Sequence, residues 1–352
     1  MVIARASRQD DAGIVFKTHA NYLRAFATLA AGSIHNRADE IYDRCATRIE
    51  RSGCLPTKQL AAGLEQVQTS LQHAWGTELL MSLSTRISNE DELVRLANTW
   101  LAVQAYYCIY HGTQAVVVAG GHQRPISHPK TQQHFCNVWG SRDISVEPWT
   151  LLATANGLRN LPGGVEIDRD VKPLRLFEPT AAWSLACKAL ETTRKKLVDE
   201  ALKTARVEKR HDEKRRWETE ETARIRAGRR PRKTPRRTLP ILTPQEQNTR
   251  KDAVRPTSLL DYLYRLRLRT NYVDAAMFVE GPSEPAESIE VRKCLRILAG
   301  TTLLLCEMAV MRRVGKATFI KWMLDWKNTN VPSTVTGGLV ARVETLTASV
   351  CP

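Results

Sequence analysis

The segment from Asn89 to His128 constrains the fold more than any other part of this chain. Asn89 with Glu92 three residues later matches a helix N-cap, because the two side chains can satisfy amide groups that the first turn leaves exposed. Gly120 and Gly121 predict the end of the helix, since glycine adopts the left-handed conformation at low cost. Between these signals, positions that recur every three or four residues predict one buried stripe: Leu96, Trp100, Val103, Tyr107, Tyr110, Gln114 and Val117.

The same helical periodicity extends over most of the sequence and predicts an all-α fold. Residues 12–87 favour helices throughout, and further helices are expected to begin at Ser258, to span Glu290–Val314 and to span Ala317–Trp326. Strand-like alternation is confined to Val165–Phe177, which predicts a small hairpin or an extended loop there.

The net charge indicates the kind of partner. The 352 residues carry a formal charge of +15, with an isoelectric point of about 9.6. This charge favours a polyanionic partner, and nucleic acid is the first candidate. The eight cysteines have no C-x-x-C spacing, which favours a reducing compartment. The N-terminus lacks a signal-peptide core, and the most apolar late segment contains Arg296 and Glu307, so we expect a cytoplasmic protein without a membrane span.

Most of the excess charge is local. Residues 188–237 contain 19 Lys and Arg against 9 Asp and Glu. A helix is expected to begin this segment and to fray beyond Lys209, where its apolar face is lost. Pro231 and Pro235 then predict a flexible strap. The strap is either a solvated linker or a phosphate-binding arm, and its candidate nucleic-acid-binding residues are Arg229, Arg230, Arg232, Lys233, Arg236 and Arg237.

Four of the eight histidines fall close together, namely His111, His122, His128 and His134. Structural zinc ligands usually pair within a few residues, whereas these histidines are 11, 6 and 6 residues apart. Neither a metal nor another cofactor is therefore expected. His128 and His134 are predicted to lie on the surface of a short helix that Ser127 caps.

Two segments resemble HEPN domains. The first reads Ala105-Tyr-Tyr-Cys-Ile-Tyr-His-Gly112 and continues through the glycine pair to Pro125-x-Ser127-His128; the second reads Arg265-Leu-Arg-Leu-Arg-Thr-Asn-Tyr272. HEPN domains are small helical bundles, commonly dimeric, and many are RNA-cleaving toxins or antiviral effectors. The resemblance covers roughly residues 89–140 and 257–312. It implies an RNA-directed toxin–antitoxin or antiviral-defence protein that is a homodimer or a subunit of a larger assembly.

This resemblance implies a division of the chain into five parts. Residues 1–88 form an N-terminal helical region, and residues 89–160 form the first part of a HEPN-like bundle. Residues 161–256 form an insertion with the charged arm, residues 257–330 complete the bundle, and residues 331–352 are a tail.

The catalytic motif of the family is altered in this chain. Catalytic members carry an Arg followed four to six residues later by a His, which together hold a phosphate and activate a ribose 2′-hydroxyl. No histidine follows His211 here, and the Arg206–His211 spacing falls in the charged arm. The remaining catalytic candidates are Arg267 with Tyr272, Arg269 with Asn271, and His111 from the earlier helix.

Two classes of function stay open. The first is an RNA-directed protein, either a metal-independent endoribonuclease or an RNA binder without cleavage. The second is a helical scaffold or interaction subunit, in which Tyr106, Tyr107 and Tyr110 pack a bundle and the basic arm holds a partner. Convergence of Arg267, Arg269, Tyr272 and His111 on one cleft would favour the first class.

Overall fold

A computed structural model describes residues 2–55, 63–87, 91–140, 144–232, 238–273 and 276–349. The prediction of an all-α fold is confirmed. The first helices are α1 (Val2–Ala31), α2 (Ala38–Ser52), α3 (Leu64–Ile87), α4 (Asp91–Ala119) and α5 (His128–Gly140). A two-stranded antiparallel hairpin, β1 (Leu152–Thr154) and β2 (Gly157–Arg159), and a short 3-10 turn (Pro179–Ala181) precede the long helix α6 (Ala182–Arg226). The remaining helices are α7 (Pro244–Ala253), α8 (Leu259–Leu268), α9 (Met277–Glu280), α10 (Pro285–Val314), α11 (Lys316–Asn330) and α12 (Leu339–Ala348); a π-helical turn (Arg269–Val273) follows α8.

Helix α10 lies at the centre of the fold. It contacts α1, α2, α3, α4 and α11, and almost all of its residues from Val291 to Met311 are buried. A helix that is apolar on every side must be covered by others or by lipid. By length and composition α10 could cross a membrane, but 94% of its most apolar window is buried inside this fold.

Two predicted helix boundaries are confirmed. Helix α4 ends at Ala119, and Gly121 follows in the left-handed conformation with a φ of 80°. The amide of His122 reaches back to the carbonyl of Val117, as in a Schellman motif. Helix α8 begins after Ser258, whose amide donates to Asp261 Oδ2 at 2.8 Å. The Asn89 cap lies outside the described residues.

The predicted buried stripe of α4 is wrong in its first half. Val103, Tyr110, Gln114 and Val117 are buried, but Leu96 and Trp100 are 54% and 65% exposed. The early turns of α4 instead bury Val94, Asn98, Leu101 and Ala102. Periodicity identifies an apolar face, but it does not show whether another element covers that face.

The alternating segment Val165–Phe177 forms no strand. The segment is an extended loop, the second of the two predicted alternatives. Side chains of neighbouring helices bind its backbone. Asn21 Nδ2 donates to the carbonyls of Pro173 and Arg175 at 2.5 and 2.8 Å, and Lys188 Nζ donates to that of Val171 at 2.6 Å. These bonds replace the partner strand that a hairpin requires.

The charged arm is more ordered than the sequence predicted. Helix α6 is continuous for 45 residues, roughly 68 Å at 1.5 Å per residue, so the predicted fraying beyond Lys209 is wrong. The returning chain supplies the missing support. Lys209 Nζ lies 2.9 Å from Glu246 Oε2, and Arg250 Nη2 lies 2.8 Å from Glu208 Oε2. Each exposed ion pair contributes at most about 1 kcal/mol, and the pairs join residues that the pattern of a single helix does not relate.

Candidate nucleic-acid site

Arg267, near the end of α8, lies among three tyrosine rings. Its guanidinium carbon is 4.9 Å from the ring centroid of Tyr107 and 5.6 Å from those of Tyr106 and Tyr264. A cation over an aromatic face is attracted by the electron density of the ring, and the rings hold the planar guanidinium in place. Arg267 is half-buried, so part of this cation can meet a ligand.

His128, the first residue of α5, joins Arg267 to Tyr106. Its Nδ1 lies 2.8 Å from Tyr106 Oη, and its Nε2 lies 3.5 Å from Arg267 Nη1. A guanidinium has donors only, so both contacts are satisfied when Nε2 accepts from Arg267 and Nδ1–H donates to the tyrosine oxygen. Arg267, His128, Tyr106, Tyr107 and Tyr264 are called the Arg267 cluster below.

Burial sets the protonation states of the Arg267 cluster. Partial burial lowers the pKa of His128 below its ordinary value, and the nearby Arg267 cation lowers it further. Burial raises the pKa of Tyr106 far above its ordinary value, so its hydroxyl stays protonated. At pH 7 the cluster therefore presents a neutral imidazole beside a permanent cation.

His111 lies on the same face of α4 as Tyr107. Its ring stacks on Tyr107 with centroids 6.0 Å apart, and its Nδ1–H donates to Gln114 Oε1 at 3.2 Å. Burial lowers the pKa of His111 to about 4. The two sequence candidates Arg267 and His111 thus share one tyrosine, Tyr107, as a common neighbour.

Arg269 contacts a different histidine. Its Nη1 lies 3.1 Å from His19 Nε2, and His19 Nδ1 lies 3.2 Å from Tyr262 Oη. Burial, reinforced by Arg269, lowers the pKa of His19 to about 3. Two residues correspond to about 200° of helix rotation, so Arg267 and Arg269 point to different sides.

The other two late candidates lie in the π-helical turn that follows α8. Asn271 is half-buried. The side chain of Tyr272 lies outside the described residues. Of the four residues expected to converge, Arg267 and His111 each contact Tyr107, and Arg269 contacts His19 instead.

The basic strap is partly held against α6. The amide and Nε of Arg232 donate to Glu221 at 2.7 and 2.9 Å, and these bonds lower the pKa of Glu221. These bonds hold Arg232, and the flexibility of the rest of the strap stays a prediction. Arg229 and Arg230 are exposed, and no carboxylate of the described residues pairs with either. Lys233, Arg236 and Arg237 lie outside the described residues.

The sequence interpretation missed His128 and Tyr264 as site residues. Two signals could have found them. Tyr264 precedes Arg267 by three positions, so the two side chains share a helix face. The turn at Gly120–Gly121 reverses the chain after α4, which brings the start of α5 back towards the tyrosines of α4.

Within the described part of the chain, no group of three or more His, Cys, Asp or Glu side chains could hold a metal ion. Comparison of the chain with known family models, with curated proteins and with solved structures finds no match.

Proposed function

We propose that this protein engages RNA and that the Arg267 cluster is its contact site. The observation that carries the proposal is the half-buried Arg267 guanidinium, held among three tyrosine rings and bonded to His128. Guanidinium groups grip phosphate through paired hydrogen bonds, and tyrosine faces stack on unpaired bases. The two properties together suit single-stranded RNA.

The charge distribution supports the same proposal. The chain carries a net charge of +15, and Arg229 and Arg230 extend this charge along the arm. Cations that neutralise phosphates release counterions, which provides affinity independent of base sequence. The cluster would then position the strand, and the arm would add affinity.

We further propose that the site cleaves RNA without a metal, as the resemblance to HEPN domains implies. Neutral His128 would accept the proton of a ribose 2′-hydroxyl at Nε2 after Arg267 turns from that nitrogen to the phosphate, where its guanidinium would stabilise the charge. The 2′-oxygen would form a bond to phosphorus, the bond to the 5′-oxygen would break, and a proton would return to that oxygen. His128 thus takes the role that the family assigns to a histidine on the late helix.

The experiment is incubation of purified protein with mixed cellular RNA in EDTA, followed by analysis of the fragment ends. Cleavage that leaves cyclic phosphate ends, and that is lost in His128→Ala, supports the proposed nuclease. His134→Ala is the matched control, because His134 is also on α5 and half-buried but lies outside the Arg267 cluster. Binding without cleavage would leave an RNA binder, and absence of RNA binding would contradict the proposal.

A second candidate function is that of a scaffold or interaction subunit. The exposed side chains Leu93, Leu96 and Trp100 recur at helical spacing on α4, and exposed apolar stripes often mark protein interfaces. A homodimer through this stripe is compatible with either function. Sedimentation of the protein and of a Leu96→Glu/Trp100→Glu variant tests it, since a dimer that uses the stripe should dissociate in the variant.

A further inference from the structure

A pocket of about 420 Å³ opens beside the central helix α10, and none of its residues belongs to the Arg267 cluster. Its volume falls within the range of small-molecule sites, roughly 300–1,000 Å³. Helices α2, α3 and α10 and the turn before α12 form its walls. Gly338 permits the close approach of that turn, because it adopts a φ of 62° and a Cβ there would lie 3.1 Å from Glu78 Oε1.

Part of the pocket lining is apolar. Buried side chains of three helices form it, and Ile289 lies at the exposed rim. The buried residues of this part are Ile41, Tyr42, Met81 and Ile297. This surface would cover a ring or a short alkyl chain, and its burial would contribute the hydrophobic part of the affinity.

Another part of the lining is cationic. Arg292, Lys293 and Arg296 reach it from consecutive turns of α10. Among the described side chains, no carboxylate forms an ion pair with Lys293 or Arg296. Partial burial and the neighbouring Arg296 lower the pKa of Arg292, which indicates that an anion placed here would be favourable.

Glu78 is the one carboxylate that lines the pocket within the described residues, and it is already bound. Both of its oxygens accept from Arg342, whose Nε also donates to Glu307 at 2.8 Å. The two carboxylates of this buried group share the charge of Arg342, whereas Lys293 and Arg296 have no carboxylate partner among the described residues. The electrostatic balance therefore favours an anionic ligand.

Asn36 supplies a further polar group. Asn36 lines the pocket, and its Nδ2 atom is buried with no described residue that accepts a hydrogen bond from it. A buried donor without an acceptor costs free energy, and a ligand oxygen would remove that cost.

We propose that this pocket binds a small phosphorylated molecule with an apolar body. Lys293, Arg296 and Arg292 hold the phosphate, Asn36 donates to one of its oxygens, and the Ile–Met surface covers the body. A phosphate fits better than a carboxylate because its three oxygens can meet several cations at once. The body is either the base of a nucleotide or an alkyl chain, since both are flat or narrow enough to lie on an aliphatic surface.

The test is isothermal titration of the full chain with three probes: AMP, decyl phosphate and inorganic phosphate. AMP or decyl phosphate should bind at least about tenfold more tightly than inorganic phosphate, because only the first two have an apolar body to bury. Preference for AMP identifies a nucleotide site, and preference for decyl phosphate identifies a lipid-like phosphate site. Equal affinity for all three overturns the proposed role of the apolar surface.

Variants show whether the binding is in this pocket. Lys293→Gln/Arg296→Gln should weaken binding of the preferred probe by about tenfold or more, since each lost cation removes charge-assisted hydrogen bonds. Lys321→Gln on the exposed face of α11 is the matched control and should bind as the parent does. Unchanged affinity in the double variant, or no binding of AMP and decyl phosphate up to about 5 mM, overturns the proposal. These outcomes do not depend on RNA binding at the Arg267 cluster.

Discussion

Two arginine–histidine pairs involve arginines only two residues apart, one at the end of α8 and one in the π-helical turn that follows, yet the pairs occupy different environments. Arg267 meets a half-buried His128 among tyrosine rings, whereas Arg269 meets His19, which is 8% exposed. The pKa of His19 falls to about 3, while that of His128 is lowered without full burial. The difference teaches that the same pair of side chains can be enclosed as a structural contact or left within reach of a ligand, and that solvent access separates the two cases.

The largest expected effect is the difference in RNA cleavage or binding between variants of the two arginines. Arg267→Ala should reduce RNA cleavage, or RNA affinity if the protein only binds, by about 100-fold, because the cation that meets the phosphate is lost. Arg269→Ala should change either quantity by less than about threefold, because Arg269 faces His19. Cleavage rates and filter-binding constants of the two variants measure this. Equal losses in both variants would remove the distinction between the pairs.

The second prediction concerns stability, for which the pair that contains His19 should matter more than the pair that contains His128. His19→Ala should lower the free energy of unfolding by about 2–3 kcal/mol, because it leaves a buried cavity and removes the ring partner of the Tyr262 hydroxyl, which keeps only the carbonyl of residue 19 at 3.4 Å. His128→Ala should cost less than about 1 kcal/mol, because its site is partly open to water. Urea denaturation of both variants provides the comparison. A larger loss in His128→Ala would contradict it.

The third prediction concerns pH. His19 has a folded-state pKa of about 3 against 6.5 for an unperturbed histidine, so the unfolded state binds the proton more readily. Its contribution to stability is fully present above pH 6.5 and is lost as the pH falls towards 3. Within that window the loss approaches about 1.4 kcal/mol per pH unit. The difference in slope between the parent and His19→Gln, measured by urea denaturation from pH 7 to 4.5, isolates this group from the other histidines.

The smallest expected effect is a change in the salt dependence of RNA binding when the basic strap is altered. If six phosphates are neutralised, the log–log salt slope of RNA binding should be about −4 to −5. Arg229→Gln/Arg230→Gln should make it shallower by about 1.4–1.8, whereas Arg232→Gln should change it little, because Arg232 is paired with Glu221 and Glu220. Binding constants measured from low to moderate salt test this prediction. An unchanged slope in the double variant would show that Arg229 and Arg230 do not bind phosphate, and the described strap would then be a linker.

Local signals predicted local structure well. The glycine pair after α4 and the Ser258–Asp261 cap of α8 act within one helical turn, so sequence alone defines them. The burial of Leu96 and Trp100 depends on which helices cover α4, and the prediction was wrong there. Helix α6 pairs with residues such as Glu246, 37 residues beyond Lys209, and a local pattern does not contain these partners.

The sequence by itself determined the helical class of this protein, several helix ends, the concentration of positive charge and the tyrosine- and arginine-rich segments. Tertiary structure alone decided that His128 meets Arg267, that Arg269 meets His19 and that three cations of α10 share a pocket with an apolar wall. The physical reason is one of range. Helix propensity and capping act over a few residues, whereas these contacts join residues as far as 250 positions apart and exist only when the core has packed.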